Sequence, residues 1–291
     1  MSQRERRRLW VEAPPYAPNG LQYDIHRLHL ATWLLAGCNL VLDGPPTMDA
    51  LQDQLAADLA ADLETVMSRS TLEQHDKAMR MRSSQEFRNW LETPFSGMID
   101  YVDHEMHQFN TPTSSSIVTR ELICSSRPAD GRLVLGYFGG LRYPESFIMT
   151  TLIGPHPGVR PFQNVQGLMR NLLLQLLLNI PSEFVRLPWT PHVLATSLTE
   201  DPVRTFELLH KLFDQLMFQS PAQEIIIVID NITQINGAGP DFADQLLYKV
   251  KAAQNSPNGS RVLKMLITNP LPELQQRMAA AMQGFGASRI R

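Results

Sequence analysis

The sequence predicts an α/β protein: a parallel sheet covered by helices on both faces, with a helical region ahead of it. Three observations carry this. Strand-like runs alternate with helix-like runs after Pro94. The runs "RLVLGYF", "EIIIVID" and "RVLKMLIT" are apolar nearly throughout rather than at every second residue, as strands buried on both faces must be. Two polar residues, Asp230 and Thr268, close the second and third of these runs, and ligands of open parallel sheets bind at the carboxyl ends of strands.

The elements follow in order. Residues 1–20 end in "APPYAPNG" and are expected to form a flexible Pro-rich arm; the PPxY spacing of a WW ligand is missing. Residues 21–92 are expected to be helical. Asp43-Gly44-Pro45-Pro46 breaks the chain. Thr47 then caps "MDALQDQLAADLAADLETVMSRS", where Met48, Leu51, Leu55, Leu59 and Leu63 recur at three or four residues, giving one apolar and one acidic face. A second helix is expected from about Thr71 to Leu91. From residue 93 to 291 the α/β core follows. "GMIDYV" is a short strand, and "TPTSSSIVTRELICSS" a loop entering a helix. "RLVLGYF" is a strand, "GPHPGVRPF" a loop, and "VQGLMRNLLLQLLLNI" a helix stopped by Pro181. A helix from Pro202 to Gln219 presents Phe206, Leu209, Phe213 and Leu216 on one face. "EIIIVID" is a strand, "PDFADQLLYKVKAAQ" a helix, "RVLKMLIT" a strand and "LPELQQRMAAAMQ" a helix.

Composition narrows the function classes. The chain has 291 residues, 43% hydrophobic and 19% charged, enough to bury a core and too apolar for global disorder. A net charge of −3 gives no bulk electrostatic case for nucleic acid. The two cysteines, Cys38 and Cys124, form no CxxC and no metal quartet, so a reduced intracellular chain, cytoplasmic or nuclear, is expected. "RERRRLW" is not followed by an apolar signal core. "LLLQLLL" and "IIIVI" fall well short of the roughly 18 apolar residues of a membrane helix, so no membrane span is expected.

The order of elements resembles the nucleotide-binding core of the STAND class of P-loop NTPases, closest to the fungal NACHT and nephrocystin-3-like branch. The resemblance runs from about Glu86 to the C-terminus. "SQEFRNWL" resembles the short helix before the phosphate loop, "RLVLGYF" the family's second strand, and "LMRNLLLQLL" its "LLRSLLYQLL" helix. "EIIIVIDNITQI" stands where the family carries "hhhhIDGLDE", h being apolar, and "VLKMLITNPLPEL" where it carries "KILITSRPxPDI". The resemblance implies a P-loop NTPase-like fold and a degenerate nucleotide site.

The phosphate loop should lie between "GMIDYV" and "RLVLGYF". A working loop reads GxxxxGK[ST]; its glycines let backbone amides reach the phosphates, Lys meets the β/γ-phosphates and Ser/Thr holds Mg²⁺. The sequence contains no Gly-Lys pair. In the alignment implied by "SSSIVTREL", Ser114 replaces the glycine, Ser115 the lysine, and Ser116 keeps the Mg-ligand hydroxyl, while Phe109 stands at the first glycine. A β-carbon there obstructs close approach to phosphate. Lysines 77 and 211 bracket a stretch without any other lysine. The acidic pair that should follow Asp230 is Thr233-Gln234, and neither can act as a base at neutral pH. "LITSRP" has become "LITNP", which keeps Thr268 and loses the arginine. Phosphoryl transfer is catalysed by positioning and electrostatics, so these joint losses imply a pseudo-NTPase with no catalytic residue and no required cofactor.

Alternatives stay open at this point. Ser116 and Asp230 are the Mg candidates, with ATP or ADP as ligand and the helix N-terminus near Ile117 as an anion site. The plainer readings are a helix N-cap for Ser116 and a satisfied polar strand end for Asp230. His104, Glu105 and His107 in "DHEMH" lack the i, i+4 histidine spacing of a zinc helix. Ser114–Ser116 lack a GxSxG elbow. His156 in "GPHPG" is the candidate of an unrelated α/β enzyme. The helices at 47–91 are the candidate surface for a protein partner, and oligomerisation is open. The class forms rings in signalling and incompatibility through sensing repeats. This chain stops at "ASRIR", where the family's fifth core strand would begin, so either it is a truncated product or its work needs only the core and the N-terminal helices.

Overall fold

The computed structural model describes residues 27, 28, 30–32, 34, 47–103, 111–126, 131–139, 141, 164–181, 185, 202–235, 240–254, 261–270 and 272–282. The Pro-rich arm at 1–20, Phe109, the "DHEMH" histidines, His156 and "ASRIR" lie outside these residues.

The described elements are α1 (Met48–Arg69), α2 (Leu72–Ser83), α3 (Gln85–Glu92), β1 (Gly97–Tyr101), α4 (Ser114–Cys124), β2 (Arg132–Phe138), α5 (Val165–Leu178), α6 (Pro202–Gln219), β3 (Glu224–Asp230), α7 (Pro240–Gln254), β4 (Val262–Thr268) and α8 (Pro272–Met282). The protein is α/β, with a parallel four-stranded sheet in the order β1-β4-β3-β2. The chain forms two compact units. One holds residues 1–55 and 169–221, the other 56–168 and 222–291. This grouping runs across the linear division into a helical region at 21–92 and a core at 93–291, because α1 and α5 each pass from one unit to the other.

The sheet unit is built by register. Ile99, Leu266, Val228 and Gly136 stand in one row across β1, β4, β3 and β2. Alternate residues along a strand share a face, so Val134, Phe138, Ile226, Val228, Leu266 and Ile99 make one continuous apolar face. On it pack Val66 of α1, Ala78 and Met81 of α2, Phe87 and Trp90 of α3, and Ile117, Val118 and Leu122 of α4. Helix α7 lies against β1 and β4, and its buried Phe242, Leu246, Leu247 and Val250 take no part in that cluster. Gly136 lets α4 approach β2: a β-carbon there would lie 2.1 Å from Ile123 Cδ1.

Local signals fix the helices. Thr47 caps α1 as its sequence predicts, accepting from Ala50 N–H at 3.1 Å. One helix was expected from Thr71 to Leu91, but the chain forms two, α2 and α3. Ser84 adopts extended backbone and caps α3 by accepting from Phe87 N–H. Thr71 and Gln74 form a reciprocal capping box at the start of α2. The same Gln74 donates through Nε2 to Pro112 O at 2.8 Å, tying α2 to the chain entering α4.

In the helical unit, α6 buries Leu208, Leu209, Leu212, Phe213 and Leu216, including three of the four face residues predicted; Phe206 is half-buried and meets His210 edge to face. The C-terminus of α5 leaves carbonyls without helical partners, and Arg27 donates to two of them, Leu177 O and Leu178 O. Among the described residues no helix is long and apolar enough to cross a membrane.

Candidate functional site

Three chain segments meet at the carboxyl edge of the sheet. The first is the N-terminus of α4. The others are the ends of β3 and β4, where Asp230 pairs in register with Phe138 and Thr268 with Tyr101, each one residue past the last β3–β4 pair, Ile229 and Ile267. Both strands are followed directly by a left-handed residue, Asn231 (φ 56°) and Asn269 (φ 50°). Asparagine tolerates that region better than most side chains, so each strand can turn sharply and leave its last side chain on the sheet face. Gly139 closes the end of β2. Its N–H donates to Asp230 O at 2.9 Å, and a β-carbon on it would sit 2.7 Å from Asn231 O and 2.9 Å from Asp230 O.

All five predicted site residues, Ser114, Ser115, Ser116, Asp230 and Thr268, come together here, and all are buried. Asp230, only 1% exposed, accepts three hydroxyl hydrogen bonds. Ser115 Oγ donates to Oδ1 at 2.8 Å, Thr268 Oγ1 to Oδ1 at 2.7 Å, and Ser116 Oγ to Oδ2 at 2.6 Å. The lone pairs of the donors are used in turn. Thr268 Oγ1 accepts from Asn231 N–H at 2.7 Å, and Ser116 Oγ accepts from Thr113 N–H at 3.1 Å. Thr113 Oγ1 lies 2.7 Å from Ser115 Oγ and accepts from Ser116 N–H at 3.3 Å. One assignment gives every hydroxyl proton one acceptor: Thr113 to Ser115, and Ser115, Ser116 and Thr268 to Asp230. The buried carboxylate is thereby met wholly by protein donors, as a buried charge requires.

α4 begins at Ser114, not near Ile117, and Thr113 is its N-cap. Ser116 occupies the third helical position, where its hydroxyl returns to Thr113 N–H, so its capping role is the second half of a capping box. The signal was present as Thr-x-x-Ser before an apolar run; serine stands where Glu or Gln usually completes that motif.

Asp103 was not singled out. Two residues past the end of β1, it is buried and accepts on Oδ2 from both Ser114 N–H, at 3.1 Å, and Ser114 Oγ. Asn269 Oδ1 receives Asp103 N–H at 2.6 Å, and Asn269 N–H donates to Tyr101 O at 2.7 Å. No sequence motif marks Asp103 as the partner of Ser114, eleven residues further on. Thr233 and Gln234, which replace the acidic pair, sit in a 3-10 turn at Ile232–Gln234. Thr233 is exposed, and its hydroxyl bonds to Asn231 Oδ1 at 3.2 Å.

The arrangement offers a buried carboxylate with three hydroxyls and a helix N-terminus facing a second carboxylate. Neither cysteine nor histidine stands among these groups, and no cluster of three or more His, Cys, Asp or Glu suited to a metal ion occurs among the described residues. No family model, curated protein or solved structure matches the chain.

Proposed function

We propose that the chain is a pseudo-NTPase: a P-loop NTPase-like core kept for its surfaces, serving as a non-catalytic scaffold or regulatory protein through protein–protein contacts. The observation that carries this reading is how the polar groups of the site are spent. The serine at the lysine position, the serine at the Mg-ligand position and the threonine at the sensor position all donate to Asp230. A Mg-nucleotide would have to take each of them from a satisfied buried network. A satisfied network rigidifies, and breaking one member leaves the others orphaned at a cost of about 1–3 kcal/mol each.

The strand order supports the fold behind this reading. β4 lies between β1 and β3. The segment leading to α4, the Asp230 end and the Thr268 end therefore converge, as the phosphate loop, Mg aspartate and sensor of the resemblance require. The proposed partner surface is on the helices at 47–91. Helix α2 exposes Leu72 and Met79, two turns apart and so on one side, and α1 exposes Met67 near its C-terminus. Single exposed apolar residues are ordinary, whereas an aligned pair on one helix suits a helix-packing partner.

A second reading has one observation in its favour. Ser116 and Asp230, the two groups the resemblance assigns to Mg²⁺, do meet, so a nucleotide-binding switch without hydrolysis is the alternative. Calorimetric titration of the purified chain with ATP and ADP, with and without Mg²⁺, separates the two. The pseudo-NTPase reading expects no saturable heat at millimolar nucleotide; micromolar, Mg-dependent binding would replace it by the switch.

A further inference from the structure

We propose that Asp103 is an internal anion that holds the N-terminus of α4 closed, an autoinhibitory contact whose removal uncovers a site for a phosphate group. A helix start presents unpaired N–H groups and the positive end of the helix dipole, and it attracts anions. Here the anion comes from the chain. Ser114, the first residue of α4, gives both its N–H and its hydroxyl to Asp103 Oδ2. This is not ordinary capping, because Thr113 and Ser116 already supply the reciprocal cap of this helix. The carboxylate arrives from eleven residues upstream and is buried there.

A second, separate feature points to a larger anion than a carboxylate. Asn269 is buried and spends its Oδ1 on Asp103 N–H, which leaves its Nδ2, beside that same residue, as a buried donor without an acceptor. Such orphaned donors are rare and costly. The Asp103 backbone thus has beside it a buried donor that no acceptor of the protein meets. A phosphate group, inorganic or on a nucleotide, carries acceptors in more directions and can meet the Ser114 N–H, the Ser114 hydroxyl and an amide donor together. The second carboxylate of the site, Asp230, is turned to Ser115, Ser116 and Thr268.

The proposal rests on the reading of α4 as a former phosphate helix, but it fails separately. Inorganic phosphate and ATP, each with and without Mg²⁺, are titrated against the wild-type chain, Asp103→Ala and Asp103→Asn, followed by calorimetry and by thermal midpoint. The expected result is phosphate binding by Asp103→Ala about tenfold or more tighter than by wild type, with a dose-dependent rise in midpoint. A response to ATP but not to inorganic phosphate assigns the site to nucleotide; a response to both assigns it to the phosphate group alone. A natively folded Asp103→Ala that responds no more than wild type overturns the lock. If Asp103→Ala does not fold, Asp103→Asn decides, since it removes the charge and keeps the size: a response like that of wild type overturns the proposal. ATP binding by wild type that is tighter still in the variants sinks the pseudo-NTPase reading and leaves the lock standing.

Discussion

Ser116 Oγ donates to Asp230 Oδ2 at 2.6 Å across 114 positions of sequence, so the start of α4 and the end of β3 are fastened directly to one another. The bond belongs to the buried hydroxyl network around Asp230. Its consequence is that Asp230 acts first on stability. Asp230→Ala leaves Ser115, Ser116 and Thr268 without their acceptor and should lower unfolding free energy by about 3 kcal/mol. Asp230→Asn keeps one acceptor oxygen but turns an NH₂ toward a donor hydroxyl, and should cost about half as much. Urea unfolding without any nucleotide measures both. Wild-type stability in Asp230→Ala would mean that the network contributes nothing and that Asp230 is kept for something else.

Gly139 is required by a close approach rather than by its backbone angles. A β-carbon would meet two backbone oxygens, Asn231 O at 2.7 Å and Asp230 O at 2.9 Å, and backbone cannot swing aside as a side-chain tip can. Gly139→Ala should therefore destabilise by about 1–3 kcal/mol, although alanine elsewhere in a chain stabilises relative to glycine through the unfolded state. Gly136→Ala is the control. The atoms it strikes belong to one side chain, Ile123 Cδ1 at 2.1 Å and Cγ1 at 2.7 Å; joining it with Ile123→Ala, which removes both, should recover much of its loss. Thermal midpoints of the three variants test the contrast.

The framework was legible because its signals are local. Strands β2 and β3 have the bounds of their apolar runs, and α7 those of its periodic segment. A buried parallel strand has to be apolar on both faces, and that shows in seven residues. The break at Ser84 was missed because helical periodicity continues through "RSSQEF" on both sides. Only the cap, Ser84 Oγ to Phe87 N–H at 3.2 Å, distinguishes two helices from one. Of the site, the five aligned residues were legible through the order of motifs. Asp103 was not, because no motif marks which residue of the β1–α4 connection turns a carboxylate to Ser114, eleven positions away.

Asn231 and Asn269 both take left-handed backbone, at φ 56° and φ 50°, but should respond differently to glycine. Glycine adopts this conformation without steric strain. Asn231 presents its Oδ1 only to the exposed Thr233 hydroxyl, so Asn231→Gly should change stability by less than about 0.5 kcal/mol, whereas Asn231→Val should cost about 1–2 kcal/mol through strain. Asn269 also accepts Asp103 N–H through Oδ1 at 2.6 Å. Asn269→Gly removes that acceptor and leaves a buried N–H unmet, a loss of about 1–3 kcal/mol despite the permissive backbone. Equal stability of the two glycine variants would show that the Asn269 side chain contributes nothing.

At the opposite end of the same sheet face lies Lys264, with a side chain 1% exposed. Its ammonium donates to Leu91 O at 2.6 Å, near the C-terminus of α3, and pairs with Glu224 at 2.5 Å. Glu224 in turn meets Arg132, directly opposite it in register. The two partners of this pair are not equivalent. Lys264→Met leaves Glu224 with Arg132 and fills the volume with apolar atoms, so it should shift stability by no more than about 1 kcal/mol. Glu224→Ala leaves a buried ammonium facing a single carbonyl and should cost about 3 kcal/mol. Burial holds the Lys264 amine below the ordinary lysine range, against the opposing pull of Glu224. Between that lowered value and the unfolded one of about 10.4, the unfolded chain binds the extra proton. Folding is therefore favoured progressively as pH rises through that window. Wild-type stability minus that of Lys264→Met, measured by urea unfolding from neutral to alkaline pH, should rise with pH. A flat difference would show that the amine titrates alike in the folded and unfolded chains.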